Sequence, residues 1–240
     1  MMPQKLIIQT SPRAVAAMRR PIAALFCLTC LLVASPSWAE TEIGDVRSVK
    51  VWAYGTPSGG KRGDLYESDA VYADETVETA NEGALHVVFR DDTDFRLGSA
   101  SRAVLDRFVY NADSHAGVLS LSLLKGVFRY TSGKLAKRGV KIATPVALIG
   151  IRGTDFTVSV ADDGATEVAV AEGEVEITPS GGGAAANVTA GQVAAVANPA
   201  ADATVNTGTA ASDPGLQDQS DTDAGEADGD GGDGDGGGGH

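Results

Sequence analysis

Residues 84–97, "ALHVVFRDDTDFRL", and residues 117–130, "GVLSLSLLKGVFRY", alternate apolar and polar side chains with a period of two. In an extended chain successive side chains point to opposite faces, so Leu85, Val87 and Phe89 share one face, as do Leu119, Leu121 and Leu123. Residues 155–180, "DFTVSVADDGATEVAVAEGEVEITPS", repeat the pattern with Phe156, Val158 and Val160, then Val168 and Val170, then Val175 and Ile177. The runs are broken at Asp91–Asp94, Lys125-Gly126, Asp162-Asp163-Gly164 and Glu172-Gly173, residue types that tolerate the positive φ of tight turns. No stretch has a useful helical apolar period. Many short strands with regular turns predict an all-β fold, an antiparallel sandwich or jelly-roll-like domain. "ALIGI", residues 147–151, does not alternate and is expected to be a strand buried on both faces.

The two ends read differently. Arg19 and Arg20 precede an apolar stretch, Ile22 to Val33, followed by "SPSWAE" with Ser37 and Ala39 at the spacing of a signal-peptidase site. Residues 1–39 are therefore expected to be a cleaved signal peptide, since a membrane span needs about 20 apolar residues. Cys27 and Cys30 both fall inside it, so residues 40–198 form a β domain without a disulfide in a periplasmic or secreted protein. Residues 199–240 turn to Asp, Gly, Ala and Thr and end "GEADGDGGDGDGGGGH". With so few large apolar residues this segment is expected to be a disordered acidic tail. Aspartates alternating with glycine leave open a loose response to calcium.

Acidic residues outnumber basic ones, 32 to 19. That excess disfavours nucleic acid, whose binding rests on neutralised phosphates. One region runs against it. Ser114 to Thr154 contains no acid and carries Lys125, Arg129, Lys134, Lys137, Arg138, Lys141 and Arg152. Lys125 to Lys141 are the candidate contact surface for an anionic partner, an acidic protein segment or an envelope polymer, or for the chain's own tail. The catalytic inventory is thin: His86 alternates on a strand, His115 sits in a loop, His240 is terminal, and solvated turns account for Asp91, Asp92, Asp94, Asp162 and Asp163. No catalytic residue and no metal ligand is assigned, no cofactor is expected, and the protein is read as non-enzymatic. "GTPSGGKR", Gly55 to Arg62, nearly matches a phosphate-binding loop, but Arg62 stands where a hydroxyl would hold magnesium and no helix follows, so a hairpin loop is predicted.

"TPVALIGIRGTDFTVSV", residues 144–160, places Arg152 in an apolar run between Gly150 and Gly153. Thr144-Pro145 imposes an extended start. Thr154 and Asp155 can cap a bend. Arg152 is expected to pair with Asp155, Glu172 or Glu174 and so pin that bend. These residues also carry a resemblance. "TPVALIGIRGTDFTV", "TEVAVAEGEVEI" and "VTAGQVAAV" closely resemble the signature of the FecR domain family, and the upstream hairpins extend the likeness over Glu42 to Ala197. The resemblance implies an all-β sandwich acting outside the cytoplasm, in a family whose named members relay signals from outer-membrane siderophore receptors to a sigma factor. It marks Thr144, Pro145, Arg152, Gly153, Thr154, Asp155, Phe156 and Gly173 as the family motif, with a structural role. The resulting expectation is an exported binding or sensory module recognising a protein or envelope component. The alternatives are a membrane-anchored signal relay of the iron-uptake type, were Ile22 to Val33 retained, and a structural or calcium-responsive surface protein acting through its tail.

Overall fold

The computed structural model describes residues 41–153, 155–209 and 216; the expected signal peptide, Thr154 and all of the segment after 209 except Leu216 lie outside the described residues. The first half of the chain supplies β1 (Glu42–Lys50), β2 (Ala53–Thr56), β3 (Gly63–Asp64), β4 (Ala70–Tyr72), β5 (Glu75–Thr79), β6 (Ala84–Phe89), β7 (Asp94–Leu97) and β8 (Arg102–Tyr110). The second half supplies β9 (Gly117–Thr131), β10 (Val140–Ala143), β11 (Ala147–Ile151), β12 (Asp155–Val160), β13 (Thr166–Glu172), β14 (Glu174–Pro179), β15 (Ala186–Thr189), β16 (Gln192–Val196) and β17 (Thr204–Thr207). A short 3-10 turn, Lys137–Gly139, interrupts the loop between β9 and β10.

The strands form one open ladder that doubles into two layers. The first layer runs β4-β1-β6-β7-β9-β12-β13-β16-β17. The second runs β3-β2-β5-β8-β9-β10-β11-β14-β15. Strand β9 belongs to both: Gly117 to Lys125 pair in the second layer, and Gly126 to Thr131 pair in the first. All these pairings are antiparallel except β9 with β10, which is parallel.

The alternation seen in the sequence supplies the filling. Leu85, Val87, Phe89, Leu119, Leu121, Leu123, Phe156, Val158, Val160, Val168, Val170, Val175 and Ile177 are all buried in one apolar cluster. Phe89 of β6 stacks on Phe108 of β8 with ring centroids 5.6 Å apart, so the layers meet through their aromatic side chains. Each fully buried Leu or Phe contributes about 1.5–3 kcal/mol of transfer free energy. Burial also pushes the Tyr130 phenol up to about 12.

Four local expectations change. Lys125-Gly126 is not a turn, because β9 runs straight through it while moving between layers. "ALIGI" is not buried on both faces: Ala147, Ile149 and Ile151 point inward, and Leu148 is 44% exposed. Asp91 is not a solvated turn residue but fully buried, accepting from the backbone N–H and hydroxyl of Thr93 and from the Leu135 N–H. The sheet also continues beyond Asn198, since β17 pairs with β16 from Thr204 to Thr207. Only Val205 of that strand turns partly inward, which left composition with no apolar signal to show it.

Candidate functional site

The R-G-T motif lies where the chain changes layer. Ile151 pairs with Val175 in the second layer, and Asp155 pairs with Glu172 in the first. The chain crosses at Arg152-Gly153 and crosses back at Gly173, and the two crossings touch: the Arg152 N–H donates to the Glu174 carbonyl at 3.0 Å. Gly153 (φ 78°) and Gly173 (φ 82°) occupy the left-handed region that favours glycine. A Cβ on Gly153 would also strike the side chain of Lys137, which lies over it. The spacing from R-G-T-D-F to E-G-x-V is therefore that of a double corner. Thr144 closes the β10–β11 turn, its N–H donating to the Ala147 carbonyl at 2.8 Å and its hydroxyl accepting from the Ala147 N–H at 3.1 Å. Pro145 packs on the turn at Gly164, and Phe156 is buried against Tyr130 with centroids 5.3 Å apart.

Asp155 does not take Arg152 as its partner. Arg129 of β9 donates through Nε to Oδ1 at 3.1 Å and through Nη2 to Oδ2 at 2.7 Å. The ladder explains the choice: Asp155 lies opposite Thr131, and Arg129 opposite Thr157, so the two are diagonal neighbours on one face. Arg152 is exposed and has no ion pair among the described residues. The expectation for Arg152 is corrected: its guanidinium pairs with none of Asp155, Glu172 and Glu174, and Arg129 holds Asp155 instead while 38% of the Arg129 side chain stays exposed.

The six candidate contact residues separate accordingly. Lys134 pairs with Asp92, and Lys125 lies opposite Arg102 where β9 changes layer. Lys137 and Arg138 of the 3-10 turn and Lys141 of β10 converge instead with Arg152 on a groove of about 540 Å³. Leu148 and Gly150 of β11 line it, with Glu176 of β14 as its one carboxylate. The register sets Lys141, Gly150 and Glu176 side by side. Nothing lies within 3.8 Å of a Cβ built on Gly150, so the groove exists because that strand position has no side chain. Four cations around one acid create a local positive field on a chain of formal net charge −13.

The basic loop is fixed from beneath. Asp91 accepts the Lys134 N–H through its carbonyl at 2.7 Å and the Leu135 N–H through Oδ2 at 3.1 Å, while the Ala136 N–H reaches the His115 carbonyl at 2.8 Å. With Leu135 buried as well, the 3-10 turn is held in place beside β10. Arg152, Leu148, Gly150 and Glu176 were not read as groove residues from sequence. Their signal was the failure of "ALIGI" to alternate, which places apolar residues on an outward face.

The remaining polar clusters sit elsewhere. Nε2 of His86 and Oδ2 of Asp94 are 2.5 Å apart, and Arg96 Nε donates to Asp94 Oδ1 at 2.9 Å. Burial pulls the Asp94 carboxyl upward, but the hydrogen bonds from His86 and Arg96 and their charges outweigh it and hold it below its ordinary value. His115 Nδ1 meets the Tyr110 hydroxyl at 2.8 Å. "GTPSGGKR" is the loop of the β2–β3 hairpin, with Arg62 over the Tyr54 ring at 3.4 Å. Among the described residues no group of three or more His, Cys, Asp or Glu could hold a metal ion.

Fold and groove together define a two-layer β module whose distinctive surface is cationic and apolar. Residues 75–176 match the family model described as FecR protein, a stretch that includes the double corner and every residue lining the groove. Two crystal structures from Parabacteroides distasonis, both provisionally described as an anti-sigma factor, are similar at 15% and 14% identity with TM-scores of 0.44 and 0.45. Each match covers 56% of this chain and 60% of the solved chain. No curated protein matches the chain.

Proposed function

We propose that the chain is an exported, non-enzymatic FecR-type module that recognises a protein or an envelope polymer through the groove between the 3-10 turn, β10, β11 and β14. The observation that carries this reading is the groove itself: four cations and an outward leucine on a net acidic chain. Such a surface steers and holds an anionic partner, while Leu148 supplies apolar contact. Export is read from Arg19 to Ala39, and the absence of chemistry from the sequence inventory. The test places a photo-crosslinking amino acid at Leu148 in the native host, with His86 as a control position on the other layer. Adducts at Leu148 that vanish in an Arg138→Glu, Lys141→Glu variant support the reading. Equal adducts at both positions, or adducts indifferent to the charge reversal, overturn it. The same preparation gives the N-terminus by mass spectrometry, with Glu40 expected; a chain retaining Ile22 to Val33 would favour the anchored relay.

A further inference from the structure

Resting on the reading of the groove as the contact face, we propose that its partner is a second copy of this chain, the two second layers meeting face to face about a two-fold axis along β11. The strip of side chains across the groove is antisymmetric in charge. Lys141, Gly150 and Glu176 stand side by side on β10, β11 and β14, with the cation on one flank of Gly150 and the acid on the other. One row further along, the basic 3-10 turn flanks Arg152 on the β10 side. Glu174, whose carbonyl takes the Arg152 N–H, flanks it on the β14 side and points outward like Glu176. A two-fold along β11 turns each row onto itself with its flanks exchanged. Lys141 then faces Glu176 of the second copy, Arg138 faces its Glu174, and both contacts occur twice. Within one copy Lys141 and Glu176 are two strands apart, ~10 Å between backbones. Arg138, Lys141, Arg152, Glu174 and Glu176 all lack an ion pair among the described residues.

The two glutamates decide between occupants. An acidic polymer or peptide laid in the groove would bring carboxylates against Glu174 and Glu176, whereas a second copy brings each of them a cation. The relief of the face points the same way. Ser120, Ser122, Ala143 and Gly150 make its centre shallow. A broad shallow sheet face is matched by another sheet whose strands run within about 30° of its own. Of the seven exposed large apolar side chains among the described residues, Val109, Val118, Leu124 and Leu148 stand on this outer face, a concentration that marks a contact surface. Leu148 lies on the axis and meets its own copy, in a row where Ala143 and Thr178 bring no charge against it. Gly150 also meets itself, and the open space above it admits the stems of Lys141 and Arg152. Arg152, the third outward residue of β11, turns its guanidinium to Glu174 of the second copy and away from its own image. The remaining cations at the rim offset the general repulsion between two chains of formal net charge −13, so this is the face on which two copies can approach.

The experiment is sedimentation velocity of the full chain over about 5 to 500 μM, a range that catches a small interface of weak affinity. A reversible dimer is expected for the unaltered chain. Lys141→Glu leaves only acids on the Gly150 row and Glu176→Lys only cations, so each variant alone should raise the dissociation constant at least ~10-fold. An equimolar mixture of the two should form dimers again, because each row now meets its opposite, and this recovery also shows that both variants are folded. The chain carrying both substitutions should dimerise with itself. The proposal is overturned by an unaltered chain that stays monomeric to about 500 μM, by loss of the dimer in only one single variant or in neither, or by a mixture or double variant that stays monomeric. The Leu148 crosslink separates this failure from failure of the groove reading. An adduct of two copies is expected. Adducts to another molecule, with none between copies, remove the second copy and leave the groove standing as a contact face. No charge-dependent adduct of either kind removes both.

Discussion

Asp155 has one carboxylate and two arginines within reach of its sequence neighbourhood, and the β9–β12 ladder decides between them. Because Arg129 is a diagonal cross-strand neighbour on the same face, it forms both hydrogen bonds, and Arg152, three residues away along the chain, is left at the surface. The two arginines should therefore behave differently when removed. Asp155→Ala is expected to cost about 1–2 kcal/mol, the range for a charged hydrogen bond in a half-exposed setting. Arg152→Ala should stay within ~0.5 kcal/mol, as surface substitutions do, while weakening capture of an acidic ligand. Urea unfolding of both variants checks this, and an equal loss would return Arg152 to a structural role. Asp94 carries a pH signature of its own. Its carboxyl is held below its ordinary value by His86 and Arg96 despite partial burial. A depressed native pKa contributes stability that is complete above the unfolded value and is lost as pH falls through the native one. Denaturation between pH 5 and pH 2 should show a shallower acid loss for Asp94→Asn than for the unaltered chain. Identical profiles would mean that the carboxylate gains nothing from its neighbours.

At the scale of elements, two glycines three residues apart do opposite things. Gly153 sits at a positive φ with Lys137 over it, so Gly153→Ala should cost about 1–2 kcal/mol and push Lys137 out of the groove. Gly150 sits in a strand with open space above it, so Gly150→Val should be neutral or stabilising by about 0.5–1 kcal/mol while filling the groove. Paired thermal melts and ligand capture distinguish the two: loss of capture with retained stability is expected only for Gly150→Val. The same elements show what the sequence could and could not disclose. Alternation marked the inward residues of β6, β9, β12, β13 and β14 correctly, because period two is a local property of extended backbone. It could not tell a hairpin from a change of layer. Gly126, Gly153 and Gly173 each interrupt an alternating run, and at each the chain passes to the other layer rather than folding back on its neighbour. The charge pattern was legible as a region but not as a site. Nothing in the order of residues separates Arg129 and Lys134, which find Asp155 and Asp92, from Lys137, Arg138 and Lys141, which find one another.

For the whole molecule, the consequence lies in β9. One strand contributes Leu119, Leu121 and Leu123 to the second layer and Phe128 and Tyr130 to the first, all buried in a single cluster. Neither layer can lose its central strand without unpairing the other, and no stretch of loop separates the two halves of β9 to let them part. The domain should therefore unfold as one unit, despite two broad layers that in another topology could open separately. Leu121→Ala in the second layer is expected to cost about 2–5 kcal/mol through lost burial and the cavity left behind. In native-state hydrogen exchange the same loss should appear in the protection of amides in β12 and β13, which belong to the first layer. Phe156→Ala, made in the first layer, should reciprocate on β10 and β11. If each substitution lowered protection only within its own layer, the bend at Lys125-Gly126 would be acting as a hinge between two foldons. The groove, whose walls come from β10, β11 and β14 but whose 3-10 turn is braced by Asp91 of the first layer, would then change shape as the layers move apart.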